Sequence, residues 1–284
     1  MIDWADIERA LPTFRPVEGG FSSARRGIVT LVDGRTVFVK LGVDDRTKRW
    51  ARNEIKAYHW LEDAGYQHAP RLVAQSDEGF ALPDLSTWDW EHVWHKDKVD
   101  AALLALDRLA GLPATTGHFE QSGFEADGNP WRNLPADAAA YRSIVDGDTW
   151  QELADLLTDS SLRLEYAQAA EGRPWYGDDL VHYDARADNF AYDHSSKHGC
   201  FVDWNWMSLG NSAFDRTAML VNVQLSGFDV LPDYHDQVDR NSLIWLMGFW
   251  LERALGPQET EGQQRLRPRQ VANALQAHQL LVRL

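Results

Sequence analysis

The chain has 284 residues, 44% of them hydrophobic, enough to bury a sizeable core in one large domain or in two lobes sharing a cleft. Its formal net charge of -15 sets an acidic surface against nucleic-acid phosphates and anionic lipid. Neither is therefore expected as a main partner, whereas a cationic small molecule would be favoured. The single cysteine, Cys200, excludes an intrachain disulfide and a cysteine metal cage, and in the apolar run CFV it reads as an inert buried thiol.

The first residues, MIDWADIERALPTF, lack the basic start and apolar stretch of a signal peptide. No apolar run approaches the about 20 residues needed to span a bilayer, so the expected location is cytoplasmic. In RRGIVTLVDGRTVFVKLG, two β-rich runs flank Asp33-Gly34, a dipeptide suited to a hairpin turn. A helix is expected from about Asp45 to Ala64, with Trp50, Ile55, Tyr58 and Leu61 on its apolar face and Gly65 ending it. Two more strands follow, RLVAQS and GFALP, around the turn Asp77-Glu78-Gly79.

Beyond Asp84-Leu85-Ser86 the texture turns helical. Helices are expected over 98–111, 135–145 and 148–170, with a polar loop from Thr115 to Pro130. After Asp215 come the apolar helix NSLIWLMGFWLERAL and the final helix RPRQVANALQAHQLLVRL. These elements predict an α+β fold of two lobes, a β-rich one over residues 1–85 and a mostly helical one over 86–284.

One β-like patch interrupts the helical part. In LVHYDARADNFAYD, Asn189 opens a strand, and a turn then leads to Cys200-Phe201-Val202 and Asp203. Antiparallel pairing of those strands brings Asn189 close to Asp203, with Asp184 in the loop just before. Two carboxylates and an amide oxygen are hard ligands suited to Mg²⁺ held together with substrate phosphates. The spacing His-x-Asp-x-x-x-x-Asn followed by a strand-terminal Asp is that of a kinase catalytic loop and its metal-binding aspartate. Asp188 and Asp193 read as solvated turn residues.

On these residues the chain resembles the aminoglycoside phosphotransferase and choline kinase-like family, which has the protein-kinase fold. HYDARADN, FVDWNW and GNSAFD stand for its catalytic loop, metal-binding segment and later aspartate, while EGGFSS and VFVK stand for its phosphate loop and lysine strand. Tyr183 replaces the family's usual glycine. The resemblance implies Asp184 as catalytic base; Arg186, two positions on where many members have histidine, would by its own chemistry neutralise charge on the transferring group. The resemblance also implies Asn189 and Asp203 as Mg²⁺ ligands, and Lys40, oriented by Glu54, as the contact to nucleotide phosphates. Gly19, Gly20, Ser22 and Ser23 would cover those phosphates, and backbone groups of Leu82 and Leu85 would meet the base of ATP, with GTP equally open. His182 and Asp215 would brace the catalytic loop.

The acceptor would be a small molecule bearing a hydroxyl, such as an amino-sugar or aminoglycoside. Asp229, Asp233, Asp236 and Asp239 are acidic candidates for it, and Trp88, Trp90, Trp94, Trp204 and Trp206 aromatic ones. The alternative is a nucleotide-binding pseudoenzyme acting as regulator or scaffold, against which the intact set Lys40, Asp184, Asn189 and Asp203 argues.

Overall fold

A computed structural model describes residues 2–90, 93–113, 128–256 and 261–284. Helix α1 (Trp4–Ala10) leads into β1 (Arg15–Pro16), β2 (Arg25–Thr30) and β3 (Thr36–Leu41). Helix α2 (Asp45–Asp63) follows, then β4 (Ala74–Gln75) and β5 (Gly79–Pro83). The five strands form one antiparallel sheet in the order β1-β2-β3-β5-β4.

The period-2 pattern decides what each face of this sheet does. Val29, Val37, Val39 and Ala81 turn to one face and pack with Ile7 and Ala10 of α1. Phe38, Phe80 and Leu82 belong to the other face, with Tyr58 of α2, and Lys40 shares that parity. In the β2–β3 turn Gly34 alone takes positive φ, at 86°, while the Asp33 carboxylate accepts from the Arg35 N–H at 3.0 Å. The Leu31 N–H donates to the Arg35 carbonyl at 2.8 Å and the Gly34 N–H to the Leu31 carbonyl at 2.9 Å, so the connection is a three-residue hairpin loop, 32–34, rather than a two-residue turn. Helix α2 starts where expected, with an Asp44–Thr47 capping box, and Gly65 follows its end. The strand expected over RLVAQS shrinks to its two residues in β4.

The rest is mainly helical: α3 (Lys96–Ala110), α4 (Pro130–Asn133), α5 (Gly147–Thr158), α6 (Ser160–Ala170), α7 (Ser212–Leu225), α8 (Leu231–Tyr234), α9 (Arg240–Leu255) and α10 (Glu261–Arg283). Val99, Ala102, Leu106 and Leu109 are the buried stripe of α3, at helical spacing. Two expectations fail here. Segment 135–145 holds only a 3-10 turn, Ala139–Tyr141. The single helix expected over 148–170 breaks at Asp159, whose carboxylate accepts from the N–H groups of Ser161 and Leu162 and restarts the chain as α6. Of the loop expected over 115–130, residues 115–127 lie outside the described residues, and Pro130 opens α4.

The β patch consists of β6 (Asp179–Val181), β7 (Phe190–Asp193), β8 (His198–Phe201) and β9 (Ser208–Gly210), paired as β6 with β9 and β7 with β8. One large apolar core runs from α2 and β5 through this patch into α9 and α10. Cys200 is buried, and burial pushes its thiol up to about 12, so it is inert as expected. Among the described residues, no helix is long and apolar enough to cross a membrane.

Candidate active site

Strand β3 delivers Lys40 to the face of the sheet that α2 covers, where it is 7% exposed. Its ammonium pairs with Glu54 of α2, itself 1% exposed, and lies 2.8 Å from Asp203 Oδ1. Burial disfavours the ammonium, but the two carboxylates more than offset this and raise its pKa. Glu54 is pushed up to about 7, by burial first, with Lys40 pulling it back and Asp203 pushing it further. Burial would also raise Asp203, yet the charge and hydrogen bond of Lys40, aided by Arg186 and Arg26, hold it well below the usual carboxylate range. Asp203 stays ionised at neutral pH.

Asp203, two residues past the end of β8, has a left-handed backbone, φ 66°. That conformation is uncommon for a residue with a Cβ. The β7–β8 pairing brings Asn189 alongside, and the Val202 N–H donates to the Asn189 carbonyl at 2.9 Å. The Asn189 side-chain amide donates to the Asp184 carbonyl at 2.9 Å and to its Oδ2 at 3.1 Å. With its nitrogen so committed, the amide oxygen is the atom left for a cation.

Asp184 is pushed up to about 6, chiefly by burial; Arg186 lowers it, while Asp203 and Asp188 raise it. Arg186 lies 3.2 Å from both Asp184 and Asp188, and its guanidinium carbon sits 5.3 Å from the Phe21 ring centroid. Asp188 is not a solvated turn residue, because it also faces Arg269 of α10 at 3.4 Å. Asp193, by contrast, closes its turn through Ser195 and Ser196, as a turn residue should.

The loop is held from beneath. His182 is fully buried; its Nε2 faces the Val202 carbonyl at 3.0 Å and its Nδ1 accepts from the Asp184 N–H at 3.2 Å. Burial lowers its pKa to about 4, so it is a neutral brace. Asp215, in the first turn of α7, accepts from the N–H groups of His182 at 2.5 Å and Tyr183 at 2.9 Å. Tyr183 has φ 59°, a left-handed conformation that glycine adopts without steric cost and that is uncommon for a residue with a Cβ.

Asp215→Ala should strand both N–H groups, costing about 1–3 kcal/mol for each in a urea titration. Burial pushes Asp215 up to about 7, above the ordinary carboxyl value of 3.8. Its contribution to stability is therefore full below that lower value and lost as pH rises through about 7. Asp215→Asn should flatten this dependence.

The phosphate loop is anchored at both ends. Gly19 and Gly20 have φ of 115° and 70°. The Ser22 hydroxyl accepts from Arg26 at 2.5 Å, and the Ser23 hydroxyl donates to Asp44 at 2.5 Å. These glycines and serines, with Arg26 and with Arg265 of α10, line a cavity of about 300 Å³. Helix α10 meets the loop directly: a Cβ on Gly262 would lie 2.8 Å from the Phe21 carbonyl oxygen. At the connector, Leu82 is buried in β5, while the Leu85 carbonyl already accepts from the Trp88 N–H at 3.0 Å and the Trp90 indole at 2.8 Å.

The acceptor candidates do not converge. Trp94 and Trp204 are core residues, and Trp206 is 55% exposed against Trp50. Asp229 pairs with Arg283, Asp236 with His235, and Asp239 caps α9. The sequence reading missed Arg26, which lies opposite Lys40 in the β2–β3 register, and Phe21, Arg265 and Arg269. Only the register was foreseeable, from the hairpin.

The family model described as "Phosphotransferase enzyme family" matches residues 13–246. A comparison with curated protein sequences found no match. Among solved structures, the fold is similar to an aminoglycoside phosphotransferase from Alicyclobacillus acidocaldarius, with 13% identity and a TM-score of 0.60, covering 100% of this chain and 95% of that one. It is similar to an ethanolamine kinase from Plasmodium vivax, with 12% identity and a TM-score of 0.57, covering 91% and 81%. It is also similar to an aminoglycoside 2'-phosphotransferase solved with GDP, with 14% identity and a TM-score of 0.59, covering 99% and 96%. The chain belongs to the phosphotransferase enzyme family and has its two-lobed, protein-kinase-like α+β fold. It is a phosphotransferase.

Proposed function

We propose that the protein transfers the γ-phosphoryl group of ATP to a hydroxyl of a small amine-bearing acceptor, an amino-sugar, aminoglycoside or amino alcohol. The observation that carries this reading is the contact of Lys40 with Asp203, 163 residues away, beside the Asp184–Asn189 pair. The nucleotide would lie between residues 1–85 and 86–284. Gly19 and Gly20 let the backbone approach its phosphates, and Lys40 meets the α- and β-phosphates. Leu82 and Leu85 face the base, Leu85 through its N–H because its carbonyl is taken.

An ionised Asp203 and the Asn189 amide oxygen fit Mg²⁺, which prefers hard oxygen donors. Bound there, the ion would neutralise charge on the phosphate oxygens. Asp184 then accepts the proton of the attacking hydroxyl, and Arg186 stabilises charge on the transferring group. The amine on the acceptor is supported by the net charge of -15 and by the aminoglycoside and ethanolamine acceptors that name two of the similar structures.

The test is nucleotide consumption with Mg²⁺ across a panel of amino-sugars, sugars and amino alcohols, with ATP and GTP in parallel. Acceptor-dependent ATP turnover that disappears in Asp203→Asn is expected. Nucleotide binding without turnover on any acceptor would instead favour the regulator or scaffold. Arg186→Ala should lower kcat by about 10²-fold or more; unchanged turnover would remove Arg186 from the reaction.

A further inference from the structure

Outside the cleft, three side chains that can ligate metal converge where the connector meets the helical part. Asp89 comes from the connector, His95 from the N-cap of α3, and His194 from the turn after β7. One ligand atom from each lies within 4.8 Å of the other two. His194 Nε2 is 3.2 Å from Asp89 Oδ2. Two ligands on bonds of about 2.0–2.1 Å to a tetrahedral ion stand about 3.3–3.4 Å apart, so this pair already has a chelating separation. The rings of His95 and His194 stack with centroids 5.6 Å apart at 27°.

Two of the three residues are fixed in place. Asp89 and Tyr192 exchange backbone hydrogen bonds of 2.7 and 3.0 Å, which bind the connector to β7. His95 caps α3, its Nδ1 accepting from the Lys98 N–H at 3.4 Å, which leaves Nε2 as the nitrogen to offer an ion. His194 is mostly exposed and can adjust.

Lys98 is the opposing term. Its fully buried ammonium lies 3.0 Å from Asp89 Oδ2. This is the same oxygen that faces His194; one carboxylate oxygen has lone pairs for both an ion and a hydrogen bond, and an outer partner of this kind also orients a ligand.

We propose that Asp89, His95 and His194 bind a zinc-class divalent ion, with water completing a tetrahedral shell. Two imidazoles and one carboxylate favour such an ion over Mg²⁺, which prefers oxygen alone. The ion would tie the connector, the start of α3 and the β7–β8 turn into one unit.

The test is equilibrium dialysis of the full chain against Zn²⁺ in excess Mg²⁺, which keeps the oxygen-donor residues of the cleft occupied. Unfolding of the same samples would be followed by circular dichroism. One Zn²⁺ per chain and a rise in Tm are expected. Both should be lost, with affinity down at least about tenfold, in His194→Ala and in His95→Asn, which retains a capping oxygen. His194 is exposed, so its variant keeps the test open if His95→Asn fails to fold. No stoichiometric Zn²⁺, or binding undiminished in His194→Ala, would overturn the site.

Discussion

Asp184→Asn lowers kcat by about 10²- to 10⁴-fold while nucleotide affinity stays near that of the parent protein. The substitution preserves size and can keep the Asn189 contacts, since an amide oxygen still accepts from the Asn189 amide. What disappears is the atom that can take a proton. The same residue sets a pH limb. Burial raises Asp184 to about 6, so the parent kcat should fall as pH drops through about 6 and the carboxylate becomes a carboxylic acid. Profiles of kcat against pH at saturating nucleotide decide the point: the acid limb belongs to Asp184 only if it is absent from the variant's residual rate.

Lys40→Met should lose about 3–5 kcal/mol of stability in a urea titration, because a buried carboxylate is left without its cation. Glu54 is that carboxylate, 1% exposed and already raised to about 7. Its folded pKa lies above the unfolded value of 4.5, so its contribution is full below that value and lost as pH rises through about 7. Without Lys40 that loss should steepen, and Lys40→Met should lie closest to the parent in acid. Adding Glu54→Leu should restore most of the stability and none of the turnover, since an apolar pair packs but contacts no phosphate. If Lys40→Met unfolds like the parent at neutral pH, the buried pair is not what holds α2 to the sheet.

The parts of the site that could be read in advance rest on short-range rules. Alternation along VFVK places Lys40 opposite Val37 and Val39, whereas Glu54 as its partner came only from the family resemblance. The turn between β7 and β8 sets Asn189 beside Asp203. Contacts made by α10 escaped because nothing local in its sequence marks Gly262 for Phe21 or Arg269 for Asp188. Aromatic residues misled for a related reason. Trp204 and Trp206 are two positions apart, yet one is buried against His182 and the other stands in solvent. The break at Asp159 was written locally, as Thr-Asp-Ser-Ser, but alanine and leucine on both sides carried the helical pattern across it.

Because Lys40 and Asp203 are 163 residues apart, the cleft exists only when both parts of the molecule are folded and docked. Anything that occupies it is therefore linked to the whole unfolding equilibrium. A ligand present at 100 times its Kd adds about 2.7 kcal/mol to that equilibrium. Melting curves can thus rank acceptors without any turnover, even in the inert Asp184→Asn protein. The true acceptor should raise Tm further once nucleotide has already done so.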